Sequence, residues 1–181
     1  MELLQKAIVL DDTFAEPHAA LGYLYSMTRQ HDKALAEGEM AVALNPNSAD
    51  SHMKYGKILT FAGRHEESIS ELKKAIRLNP TPPNIYLYSL GISYCWTGQY
   101  EEATTWCEKA VRREPNGMFP RLFMTMVYSL SGRDEEARIE AAEVIRIQPK
   151  FSLEKFAKKV TYKNKEDKER CVSALRKAGL K

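Results

Sequence analysis

The sequence predicts an all-α fold, a solenoid of helical hairpins, and three observations support this. Proline recurs at intervals of 34, 35 and 34 residues, at Pro46, Pro80, Pro115 and Pro149. Before each proline lies a short motif centred on glycine, at Leu21-Gly22, Tyr55-Gly56 and Leu90-Gly91, with Met124-Thr125 as a degenerate fourth copy. The 181 residues are 44% hydrophobic, which is enough to bury a core. A fixed period in this range is the signature of a repeat architecture.

Each repeat is predicted to form two helices joined by a short turn. The turns share a glycine followed by an acidic pair: "GRHEE" from Gly63, "GQYEE" from Gly98 and "GRDEE" from Gly132. Acidic side chains stabilise the positive N-terminal end of a helix, so the second helix is expected to begin there. A proline after asparagine, as in Asn45-Pro46, ends the second helix because proline disfavours a helical residue before it. Thr13 and Glu16 have the spacing of a capping box ahead of the first complete repeat.

Glycine inside the first helices requires a compensating contact, because it costs roughly 1 kcal/mol relative to alanine in a helix. We expect small residues of the second helix to approach these glycines closely. The pairs are Gly22 with Ala34, Gly56 with Ser68, and Gly91 with Ala103. A large side chain such as leucine at Gly91 is predicted to overpack this crossing.

The register divides the chain into six segments. Residues 1–14 are predicted to be the second helix of a preceding repeat, since Ala7 aligns with Ala41 of the next second helix. Four repeats follow at residues 15–48, 49–83, 84–117 and 118–151, the last degenerate, and residues 152–181 are expected to form C-terminal capping helices. Because half a hairpin cannot bury its own apolar face, the sequence is expected to be a fragment of a longer protein.

These positions resemble the tetratricopeptide repeat pattern, which has a period of 34 residues. The four repeats depart from it with His18, His52, Leu87 and Arg121 where the family favours tryptophan. The resemblance implies a right-handed superhelix whose concave groove is lined by the first helices and binds a protein segment. Helical geometry places twelve residues on that face: Tyr23, Met27, Met53, Lys54, Lys57, Phe61, Tyr88, Ile92, Trp96, Phe119, Leu122 and Met126. Their aromatic and methionine content favours an apolar peptide or helix as the ligand.

The C-terminal segment carries a net excess of basic charge. Residues 152–181 contain ten basic and four acidic side chains, whereas the whole chain has a net charge of +3. Two amphipathic helices are predicted there, either as a cap with its basic side toward water or as a patch for an anionic partner. The segment also resembles the tails of tetratricopeptide regions attached to bacterial class III adenylate or guanylate cyclases and to winged-helix regulators. "FSLEKFAKK" from Phe151, then Tyr162-Lys163 and "LRKAGL" from Leu175, carry this resemblance.

The sequence favours a non-enzymatic interaction module, and no catalytic, phosphate-binding or metal-binding motif is recognised. No cofactor and no metal are expected, and Cys95, Cys107 and Cys171 lack the spacing of a zinc site. No signal peptide and no run of roughly 18 apolar residues is present, so a cytoplasmic location without membrane binding is expected. Residues 1–151 have a net charge of −3, so nucleic-acid binding is not expected. The resemblance implies an accessory region of a bacterial signalling protein. The alternatives are self-association as a homodimer and a regulatory role beside a nucleotide cyclase.

Overall fold

The computed structural model describes residues 1–181 and confirms the all-α prediction, since its regular elements are eleven helices. The helices are α1 (Glu2–Leu10), α2 (Ala15–Met27), α3 (His31–Leu44), α4 (Ala49–Ala62), α5 (His65–Leu78), α6 (Asn84–Trp96), α7 (Tyr100–Arg113), α8 (Met118–Leu130), α9 (Asp134–Ile147), α10 (Leu153–Lys159) and α11 (Lys165–Lys177). Consecutive helices from α2 to α9 pair as four hairpins.

The chain forms two compact units. Unit 1 contains Met1–Pro82 together with Thr161–Asn164, and unit 2 contains Pro83–Val160 together with Lys165–Lys181. In unit 1, α4 packs against both α2 and α3, and α1 packs against α2. In unit 2, α8 packs against its hairpin partner α9, against α6 and α7 of the preceding hairpin, and against α11. The core of unit 1 has Leu21, Ile58 and Leu59 at its centre.

Close contact at the hairpin crossings confirms the predicted role of the interior glycines. A Cβ atom added at Gly91 would lie 3.1 Å from the carbonyl oxygen of Ala103 and 2.5 Å from Sγ of Cys107. At the preceding hairpin the Ser68 hydroxyl donates a hydrogen bond of 2.7 Å to the Gly56 carbonyl. Only a residue without a side chain allows the two helices to approach this closely, and the contact offsets the conformational cost of glycine.

Each first helix is followed, within two residues of its end, by a residue in the left-handed region. Gly63, Gly98 and Gly132 have φ angles of 75° to 83°, as expected for a C-terminal glycine. Arg29 adopts the same conformation in the first repeat, where the sequence provides no glycine. The capping-box prediction was wrong, because Phe14 rather than Thr13 is the N-cap of α2. The Thr13 hydroxyl and amide instead donate to the Asp11 carboxylate, which satisfies them locally.

Three hairpins contain a polar pair between residues 19 positions apart. The pairs are His18 with Glu37 at 2.6 Å, His52 with Glu71, and Arg121 with Glu140 at 2.8 Å. The His52 ring is buried, and its Nε2 donates to the Pro46 carbonyl at 3.0 Å. The third hairpin has Leu87 and Trp106 at the equivalent positions. The residues that replace the family's tryptophan are therefore polar in three hairpins and apolar in one.

Candidate functional site

The predicted surface of unit 1 is centred on a contact between α2 and α4. The Lys57 ammonium donates a hydrogen bond of 3.0 Å to the Tyr23 hydroxyl and lies 4.7 Å from the centre of the Tyr23 ring. Both side chains are half-buried, and Met27 beside them is half-buried as well. This part of the surface presents an aromatic ring, a cation and a flexible thioether, which together can contact an apolar or aromatic side chain.

Two other predicted residues of unit 1 are less available to a ligand. Met53 is buried. Lys54 pairs with Asp50 one turn earlier on the same helix.

Phe61, the last predicted residue of unit 1, is contacted by the segment 161–164. The Lys163 amide donates a hydrogen bond of 2.8 Å to the Phe61 carbonyl. The rings of Tyr162 and Phe61 lie 5.4 Å apart between centres. The Lys163 ammonium lies 2.8 Å from a carboxylate oxygen of Asp32 and holds the pKa of Asp32 below its ordinary value by hydrogen bonding. Three kinds of contact thus fasten this segment beside the end of α4.

In unit 2 the structure buries four of the six predicted side chains, Trp96 among them. Leu122 and Met126 are 0% exposed, and Ile92 is buried as well. The prediction that these side chains face a ligand therefore fails in this conformation, because α8 packs against α6, α7 and α11. They act as core residues that hold the first helices in place.

The predicted site residues of unit 2 that remain at least partly exposed, Tyr88 and Phe119, belong to an aromatic cluster. The Tyr88 and Phe123 rings lie 5.4 Å apart at an interplanar angle of 29°, and the Phe119 and Phe123 rings lie 6.2 Å apart at 18°. Phe119 is 48% exposed, although it is a large aromatic residue. Sequence reasoning missed Phe123, but its position four residues after Phe119 on one helix could have identified it.

Trp96 is covered by the C-terminal helix of unit 2. The Arg170 guanidinium on α11 lies 5.3 Å from the centre of the Trp96 ring, and the indole is 7% exposed. Burial raises the pKa of the neighbouring Cys95 thiol to about 12, and the charge of Arg170 partly opposes this shift. Trp96 is therefore an internal contact of α6 with α11, and the prediction that it is open to a ligand fails here.

The side chains hold no cluster of three or more histidine, cysteine, aspartate or glutamate residues with the geometry of a metal site. None of the helices combines the length and the apolar character that crossing a membrane requires.

Sequence profiles of the tetratricopeptide repeat match residues 3–36, 49–82 and 86–113. One similar solved structure is that of YrrB, described as a tetratricopeptide repeat protein with an unusual peptide-binding site. Its sequence is 25% identical and its TM-score is 0.65, and the match covers 97% of this chain and 90% of the YrrB chain. The tetratricopeptide protein TTC0263 of Thermus thermophilus is 22% identical with a TM-score of 0.72, and the match covers 97% and 88%. PilW, a type IV pilus biogenesis factor, is 18% identical with a TM-score of 0.76, and the match covers 97% and 78%. No curated protein matches the chain.

Proposed function

The chain belongs to the tetratricopeptide repeat family, and from this premise we propose that it is a non-enzymatic interaction module that binds a peptide or helix on its first helices. The observation that carries the proposal is the cluster of Tyr88, Phe119 and Phe123, hereafter the aromatic cluster. Its rings combine a large contact area with few rotatable bonds, so a partner can gain binding energy at a small entropic cost.

The neighbouring second helix supports this choice of surface. On α9, Arg138 pairs with Glu135 and Arg146 pairs with Glu143. Such local pairs satisfy the charges of a solvated helix face. The aromatic cluster instead presents the half-exposed ring of Phe119 to solvent, and YrrB, a structural relative of the same fold, is described as having a peptide-binding site. The ligand that fits best is an apolar or aromatic segment.

Photo-crosslinking tests the proposal in cells that make the native protein. A photoreactive benzoylphenylalanine at position 119 is expected to crosslink a partner, which mass spectrometry identifies. The matched control places the same group at position 139, because Ile139 is 63% exposed but lies on the second helix α9. Equal crosslinking from both positions, or none from position 119, would contradict this assignment.

We propose further that the module is an accessory region of a larger bacterial signalling protein. The support is the resemblance of the tail, which carries Tyr162-Lys163 and "LRKAGL" from Leu175. An immunoblot of the native gene product tests this, because an accessory region requires a mass well above 20.6 kDa.

Self-association is the second candidate, and α1 favours it. Leu3, Val9 and Leu10 on α1 are 82% to 86% exposed, although a monomer seldom presents several large apolar side chains together. Light scattering across a concentration series tests this candidate. A dimer should dissociate when Val9→Glu places a charge on that face, whereas a constant monomer mass in the native chain would exclude it.

A further inference from the structure

Residues 161–164 contact α4 in the way that a bound peptide would. Phe61 lies in the last turn of α4, where backbone carbonyls lack a partner inside the helix. The Lys163 amide supplies the missing donor at 2.8 Å. A main-chain hydrogen bond, an aromatic contact from Tyr162 and an ion pair from Lys163 are the three elements by which an extended segment is commonly recognised.

The ion pair that holds this segment lies in solvent rather than in the core. The Asp32 carboxylate and the Lys163 ammonium are 90% and 50% exposed, so solvent screens their attraction. The Thr161 hydroxyl is buried without a hydrogen-bond partner, which disfavours the docked arrangement. Burial and the nearby Lys163 charge both lower the pKa of His31, so a second cation beside the lysine is disfavoured.

We propose that residues 161–164 are a displaceable internal occupant of a site formed by Phe61 at the end of α4 and Asp32 at the start of α3. The competing external ligand is an extended peptide with an aromatic residue followed by lysine or arginine. The inference rests on the proposed function in one respect, that external segments use the first helices. The external peptide can bind only those molecules in which the site is open, so its apparent association constant is the intrinsic one multiplied by that open fraction. Tethering gives it a high effective concentration, so the site is mostly closed.

Peptide binding to the full chain tests the proposal. The probe is a fluorescent peptide with the sequence of residues 159–166, KVTYKNKE, and fluorescence anisotropy gives its dissociation constant. Tyr162→Ala with Lys163→Ala removes the internal competitor and should tighten binding at least tenfold relative to the unmodified chain. The control Lys165→Ala changes an exposed lysine that directly follows the segment, at the start of α11, and should leave binding unchanged. A probe with alanine at both recognition positions should not bind. Equal binding to both chains, or none to either, overturns the proposal.

Hydrogen exchange in the unmodified chain provides a second test that needs no variant. The Lys163 amide should exchange more slowly than an unprotected amide, but much faster than the Leu59 amide in the core of unit 1, because release is a local opening. Exchange at the rate of Leu59 would make the segment a permanent structural element, and exchange at the unprotected rate would mean that it is not docked. Either result overturns the proposal. Crosslinking from position 119 does not involve residues 161–164, so the proposed function and this inference fail separately.

Discussion

Gly91→Ala is expected to destabilise the third hairpin, although alanine is the better helix former. The new Cβ would lie 2.5 Å from Sγ of Cys107 and 3.1 Å from the carbonyl oxygen of Ala103. Cys107 is fully buried, so its sulfur cannot move into solvent. Overpacking of this kind costs about 1–3 kcal/mol. The gain in helix propensity returns about 1 kcal/mol, so the expected net loss of unfolding free energy is about 0–2 kcal/mol.

A double-mutant cycle with Cys107→Ala isolates the steric contribution. Urea denaturation of the two single variants, the double variant and the unmodified chain gives the four free energies of unfolding. Removing Sγ eliminates the shortest contact of the new Cβ. The loss of unfolding free energy caused by Gly91→Ala should therefore be smaller in the Cys107→Ala background by at least about 1 kcal/mol, the lower end of the range for overpacking. The same cost in both backgrounds would refute the argument that close approach to Cys107 requires glycine at this position.

Three other predictions concern buried polar groups. Glu71→Ala removes the partner of the buried His52 ring and should lower the free energy of unfolding by about 1–3 kcal/mol, measured as a fall in the urea midpoint at constant slope. Burial, and secondly the Lys163 charge, lower the pKa of His31, so the unfolded chain binds the proton first and stability should be lost as the pH falls below about 6.5. An NMR titration should show the His31 pKa below that value and higher after Lys163→Met; no response to the substitution would contradict the contact. Burial raises the pKa of Cys95 to about 12, so iodoacetamide at a pH of about 8 should modify it only after unfolding, and rapid modification of the native chain would count against that burial.

The hairpins could be predicted because their signals are local and repeated. A period of 34 residues with glycine in the turn leaves room for two helices of about 13 residues each, and Gly63 and Gly98 end α4 and α6 as expected. The turn after α2 uses Arg29 instead, a residue type that provides no signal for a left-handed conformation. Thr13 had the spacing of a cap, but Asp11 lies close enough to accept its hydrogen bonds.

The candidate site was predictable only in part, because exposure depends on contacts between distant residues. Helical geometry placed Tyr88 and Phe119 on the first helices, where both remain at least partly exposed. Leu122 shares that face but is buried in the packing of α8, and no local pattern reveals which neighbours α8 acquires. The pairing of Lys163 with Asp32 joins residues 131 positions apart, and such a contact follows from no periodicity.

The polar pairs between residues 19 positions apart also disfavour one kind of misfolding. Hairpins of similar sequence can exchange partners while they fold, so that the second helix of one repeat packs on the first helix of another. Such an exchange would place Leu87 against Glu37 or Glu71, and would leave His18 or His52 facing Trp106. Each mismatch would leave a polar side chain at the crossing without its hydrogen-bond partner, which costs about 1–3 kcal/mol for a buried group. The apolar pair of the third hairpin, set among polar pairs in the other three, therefore disfavours exchange of its helices with those of the first or second.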